Sequence, residues 1–104
     1  MKAQLLKRGL PPMHPGELLR EDVLPALGKP KAEIARLLGI SRRSLYDILQ
    51  ERAPVTPTMA LRLGKLCGNG PDLWLNLQRT YDLRRAEAEL GDALAAIPTL
   101  HEAA

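Results

Sequence analysis

A chain of 104 residues with 21 leucines, three aromatic residues and no phenylalanine is a good helix former and a poor strand former. At 11.5 kDa it can bury one core and has no room for two, and 45% hydrophobic with 26% charged residues exclude full disorder. The net charge of +3 is too small to point to nucleic acid by itself.

Helix punctuation divides the chain into five segments and two tails. The first helix begins near His14-Pro15-Gly16-Glu17, with proline in the tolerated first turn and Glu17, Glu21 and Asp22 near the positive end of the dipole. Leu18, Leu19 and Val23 supply its apolar face, and Pro25 with Gly28 is expected to end it. A second helix runs from about Lys31 to Leu38 and stops at Gly39; a third starts at Ser41, a good N-cap, and continues to about Gln50. A fourth starts at Thr56-Pro57 and stops near Cys67-Gly68, and a fifth runs from Gly70-Pro71 to about Leu90. Gly64 inside the fourth helix reads as a point of close helix approach. The expected architecture is therefore all-α, a five-helix bundle. Residues 1–12 form an N-terminal tail, 13–90 the domain, and 91–104 a C-terminal tail with a fraying turn around residues 92–97.

The short link Gly39-Ile40-Ser41 forces the second and third helices to cross steeply, which is the geometry of a helix-turn-helix. Ala35 is small at the crossing, while Leu45, Ile48 and Leu49 set an inward stripe on the third helix. A projection at about 100° per residue gathers Arg42, Arg43, Tyr46, Asp47 and Gln50 on the other face. Arg is bidentate to guanine, Gln to adenine, and Tyr offers a hydroxyl with an apolar ring, so this face is expected to meet bases. Arg52 in the following loop and the start of the fourth helix at Thr56 suit phosphates. An ordinary helical hairpin with a solvated outer face is the competing reading.

Charge follows the same division. Residues 28–65 carry eight Lys or Arg against three acids, 8 − 3 = +5, and residues 66–104 carry three Arg against six acids, 3 − 6 = −3. Two surfaces with different partners are expected. The fifth helix is apolar on two sides. Leu73, Trp74, Leu77, Tyr81 and Ala88 are expected to face the core; Leu75, Leu83, Ala86 and Leu90, with Arg79 and Asp82 beside them, are expected to form a two-fold dimer seam. A tail folded back over that second face is the alternative.

The segment from Lys31 to Gln50, KAEIARLLGISRRSLYDILQ, resembles the phage-repressor-type helix-turn-helix. Flanked by HPGELLRE from His14, VTPTMALRL from Val55 and WLNLQRTYDL from Trp74, it is similar over about residues 13–90 to the HigA-type antitoxins of bacterial toxin–antitoxin modules. The resemblance implies a homodimer that binds double-stranded operator DNA in its own promoter and neutralises a HigB-type toxin, a messenger-RNA-cleaving ribonuclease. It places Ser41, Arg42, Arg43, Tyr46 and Asp47 on recognition-helix positions, and Lys31 where such repressors usually carry Gln. Under this resemblance Lys31 and Arg36 on the second helix join Arg52 and Thr56 as phosphate contacts. Pro30 stands at the usual Ser/Thr N-cap of the second helix, so that cap is lost. A stand-alone repressor without a toxin, and an interaction module that has lost DNA binding, are the other readings.

Catalysis finds little support. His14 and His101 are far apart, Cys67 lies on an apolar helix side, and neither a phosphate-binding glycine loop nor metal-ligand spacing is present, so no cofactor is expected. A single cysteine excludes an internal disulfide. No apolar run nears the roughly 18 residues that span a bilayer, and residues 1–10 are too short in apolar content for a signal peptide. A cytoplasmic protein is expected.

Overall fold

The computed structural model describes residues 13–101; the expected tail over 1–12 lies outside them. Among the described residues the fold is all-α, with six helices where five are expected. The first, α1, is composite: α-helical at Pro15–Leu18, π-helical at Leu19–Val23 and α-helical again at Leu24–Leu27. Then follow α2 (Lys31–Leu38), α3 (Arg42–Leu49), α4 (Pro57–Cys67), α5 (Asp72–Leu90) and α6 (Asp92–Ala95). The additional helix, α6, is one turn and falls where the fraying turn at residues 92–97 is expected. Gly91, at φ 50° and ψ −123°, interrupts α5, and the helix-forming run Asp-Ala-Leu-Ala resumes beyond it.

α1 ends at Gly28, as expected, but it runs through Pro25 without breaking there. The Leu24 N–H reaches back to the Leu19 carbonyl in the π-helical segment, and this widened turn accommodates the i→i−4 bond that proline cannot donate. The helix continues to Gly28, whose φ of 66° is the left-handed stop that glycine adopts at low cost.

α2 and α3 have eight residues each, too few to persist alone in water. Packing holds them. Ile34, Ala35 and Leu38 of α2 and Leu45, Ile48 and Leu49 of α3 are buried with Leu19, Leu24, Val55, Ala60, Leu63 and Trp74 in one core. Burial of each large member contributes about 1.5–3 kcal/mol. Trp74 is fully buried and donates its indole N–H to Asn69 Oδ1 at 3.2 Å, so its polar atom is satisfied.

Two backbone approaches set the helix positions. At Gly64 a Cβ would run into the Gly70 carbonyl, so α4 meets the start of α5 at backbone distance, as its sequence position suggests. At Gly16 a Cβ would run into the Ile48 carbonyl, which seats the last turn of α3 directly on the first turn of α1.

The core ends partway along α5. Trp74, Leu77 and Gln78 are buried, Tyr81 is half-buried, and every residue from Asp82 to His101 is exposed. Leu73, 41% exposed, and Ala88 are therefore not core residues. Leu73 faces away from Trp74, and Ala88 lies beyond the reach of α1–α4. No helix among the described residues is long and apolar enough to cross a membrane.

Gly16→Ala is expected to lower stability by roughly 2–3 kcal/mol, because the added methyl meets backbone that cannot rotate away. Urea unfolding measures it. An unchanged midpoint would contradict the seating of α3 on α1.

Candidate nucleic-acid interface

The α2–α3 crossing is built at Gly39. Its φ of 74° turns the chain, the Gly39 N–H bonds to the Arg36 carbonyl at 3.1 Å and the Ile40 N–H to the Ala35 carbonyl at 3.0 Å. Arg62 of α4 donates to the Leu38 carbonyl at 2.7 Å, which completes the C-terminal cap. Ser41 then starts α3, its Oγ accepting from the Ser44 N–H at 3.0 Å. Pro30 supplies no side-chain cap to α2. The crossing thus has the helix-turn-helix form.

α3 presents Arg42, Arg43, Tyr46 and Gln50 to solvent on one side, with Asp47 half-buried among them. Lys31 stands 5.9 Å from the centre of the Tyr46 ring, close enough for a cation–π contact. With Ala32 and Arg42 these two line a cleft of about 390 Å³ between α2 and α3. Asp47 faces two guanidinium groups, Arg43 at 3.8 Å and Arg52 at 3.4 Å. Lys31, Arg42, Arg43, Tyr46, Asp47 and Arg52 therefore form one surface. Arg36 is bonded twice to Glu33 on its own helix, at 3.2 and 2.6 Å, and this guanidinium holds the Glu33 carboxyl below its usual range. Thr56 caps α4, accepting from the Met59 N–H at 3.2 Å.

The loop between α3 and α4, residues 50–56, is fastened by side chains that sequence patterns do not single out. Gln78, buried in α5, accepts from the Val55 N–H at 2.8 Å and donates to Asp82 at 3.0 Å. Arg20 of α1 donates to the Leu49 carbonyl at 2.6 Å and to Glu51 at 3.3 Å. His14 caps α1 through Nδ1, which accepts from the Gly16 N–H at 2.9 Å, and its ring meets Tyr81 edge-on at 5.0 Å. The composition of helix faces could not reveal these contacts, since Arg20 and Glu51 are 31 positions apart.

Burial pushes the His14 imidazole below its usual value; Arg20 acts in the same direction, while Glu51, Asp82 and the Ala53 backbone oppose it. The neutral ring is also the form that can accept from Gly16 at Nδ1. Burial pushes the half-buried Cys67 thiol up, away from nucleophilic character. Among the described residues no three His, Cys, Asp or Glu gather as a metal site.

On α5, Leu75, Gln78, Arg79, Asp82, Leu83 and Ala86 line a shallow depression of about 460 Å³. Leu90 continues this side and is 48% exposed. The following segment does not fold back over it: Leu94, Ile97 and Leu100 are 43%, 64% and 92% exposed.

These features define a helix-turn-helix protein with a cationic outer face. No protein-family model matches the chain. Among solved structures, antitoxin GraA is 41% identical, covering 88% of this chain and 99% of its own, with a TM-score of 0.80; GraA has also been solved in complex with its operator. The Pseudomonas aeruginosa antitoxin HigA, solved with the higBA promoter, is 35% identical over 86% of this chain and 99% of its own, with a TM-score of 0.80. The HTH-type transcriptional regulator YddM of Escherichia coli is 36% identical over 71% of this chain and 78% of its own. The chain belongs to the HigA-type antitoxin family. That family is not enzymatic.

Because the folded state favours neutral His14, its contribution to stability is complete above the unfolded value of about 6.5 and is lost as pH falls through the depressed folded value. The urea midpoint should therefore drop between about pH 7.5 and 5.5. His14→Asn, which keeps a capping oxygen and does not titrate, should flatten this dependence. An equally steep profile in the variant would remove His14 as its source.

Proposed function

We propose that this protein is the antitoxin of a type II toxin–antitoxin module: a homodimer that binds its own operator, represses transcription and neutralises a HigB-type ribonuclease toxin. The observation that carries the reading is the surface of Lys31, Arg42, Arg43, Tyr46, Asp47 and Arg52 on a helix-turn-helix, in a family with members solved on operator DNA. Within a domain spanning 13–90, Ser41, Arg42, Arg43, Tyr46, Asp47 and Gln50 face bases. Lys31, Arg36, Arg52 and Thr56 hold phosphates. The exposed pairs of Asp47 with Arg43 and Arg52 are worth no more than about 1 kcal/mol, so both guanidinium groups can exchange it for DNA.

The dimer forms across Leu75, Arg79, Asp82, Leu83, Ala86 and Leu90 of α5. Two α3 helices then enter successive major grooves, with half-sites about 34 Å apart. Membership of the HigA-type antitoxin family supports neutralisation of a toxin. The second reading, a stand-alone repressor without a toxin, is supported by the likeness to the YddM regulator. Expression from the native locus separates them: a small ribonuclease encoded beside this gene and co-purifying with the protein supports the antitoxin, and its absence supports the repressor.

Arg43→Ala is expected to weaken operator binding by about 1–3 kcal/mol and to relax sequence preference at one position. Equal weakening on all duplexes would make Arg43 a phosphate contact instead. Wild-type affinity should fall by orders of magnitude between about 50 and 200 mM salt; indifference to salt would end the DNA reading. Leu83→Asp should leave the fold intact and convert the dimer to a monomer in sedimentation at tens of micromolar, whereas a monomeric wild type would contradict the seam.

A further inference from the structure

Glu51 is the single residue other than glycine with a positive φ among the described residues, at 62°. It follows Gln50, the C-cap of α3, where chains leaving a helix take the left-handed turn, usually with glycine or asparagine. Glutamate is a poor local choice, since its Cβ crowds the backbone in this region. The reason for it lies in α1. Nη1 of Arg20 bonds both to the Leu49 carbonyl at 2.6 Å and to the Glu51 carboxylate at 3.3 Å, while its Nε bonds to Glu21 at 2.9 Å. One guanidinium thus caps the last turn of α3 and grips the side chain of the strained residue after it.

The turn held in this way controls the segment beyond it. The N–H groups of Arg52 and Ala53 both return to the Asp47 carbonyl, at 2.8 and 3.1 Å, and the Arg52 side chain returns to the Asp47 carboxylate. The left-handed turn at Glu51 thus directly precedes the bonds that hold Arg52 against α3. We infer that Arg20 is a positioning residue of the operator interface: from α1, it fixes the left-handed turn at Glu51 and thereby sets where Gln50 and Arg52 stand relative to Arg42, Arg43 and Tyr46. This rests on the operator-binding reading above. Arg20 itself is turned to Leu49 and Glu51 and acts through them.

The test uses full-length wild type, Arg20→Ala, and the double variants Arg20→Ala/Glu51→Gly and Arg20→Ala/Glu51→Gln. Anisotropy with the protein's own promoter duplex is measured at fixed salt, well below each melting temperature. Arg20→Ala is expected to bind about 5- to 20-fold more weakly, the order of one well-placed contact. Glycine adopts the turn freely, so Glu51→Gly should restore binding to within about threefold of wild type. Glu51→Gln restores the same net charge but stays strained, and should not. Amide exchange at Arg52 and Ala53 should quicken more than about tenfold in Arg20→Ala, with α5 unchanged, and slow again with Glu51→Gly. Equal rescue by Gly and Gln would assign the effect to charge and overturn the inference, as would wild-type affinity in Arg20→Ala. If Arg20→Ala does not fold, the two double variants still decide by their difference. A wild type that does not bind its promoter would instead remove the operator reading itself.

Discussion

The close approach of Gly16 to the Ile48 carbonyl sets where the outer face of α3 points. A helix of eight residues has no rigidity of its own and takes its direction from what holds its ends. At the N-terminal end the left-handed Gly39 and the Ser41 cap fix the departure from α2. At the C-terminal end the first turn of α1 lies at backbone distance, which only a residue without a side chain permits. Leu45, Ile48 and Leu49 are then directed into the core, and Arg43, Tyr46 and Asp47 are left outside by the helical period. The direction of the outer face is a consequence of two glycines that lie outside it and of the Ser41 cap at its edge.

The same seat explains why α1 contains a π-helical segment. α1 must bury Leu19 and Leu24 beneath α2 and α3, bring Arg20 to the end of α3, and pass through Pro25. A regular helix places residues five apart about 140° from each other, which spreads a single buried stripe. The wider turn over Leu19–Val23 changes that phase while absorbing the missing proline donor. Glu21, exposed on the opposite side, holds Arg20 by its Nε and leaves Nη1 directed at α3.

Local signals carried most of the helix framework. The Gly39 turn, the Ser41 and Thr56 caps, and the Gly28 and Gly68 stops are written in residues whose conformational preferences act within one turn. Pro25 misleads because the rule that proline ends a helix assumes i→i−4 bonding in the turn before it. α6 is too short for a periodic signal. Much of the surface around α3 was also visible in its periodicity, which puts Arg42, Arg43, Tyr46 and Asp47 on one side; the return of Arg43 and Arg52 to Asp47 was not. The contacts that place the 50–56 loop were not visible: Gln78 to Val55, Arg20 to Leu49 and His14 against Tyr81 join polar residues far apart in sequence. Neither hydrophobic period nor capping preference encodes such pairs, and Gln78 in particular reads as a solvated position on α5 until the loop is packed against it.

α5 has two functions along its length. Through Gln78 it is a core helix, with Trp74 at the centre of the packing and Gln78 pinning Val55. Beyond Tyr81 the helix is exposed on all sides and relies on good helix formers and on pairs such as Arg85 with Glu89 at 3.6 Å, which add only a few tenths of a kcal/mol. Leu83, Leu90 and Leu94 stay about half exposed in the monomer, and each would add to stability if buried further. A second copy packed against this side would stabilise the part of α5 that the monomer supports least. It would also keep the acidic end of the chain away from the basic surface of α2 and α3, so that the small net charge of +3 presents a much stronger local field where α3 faces outward.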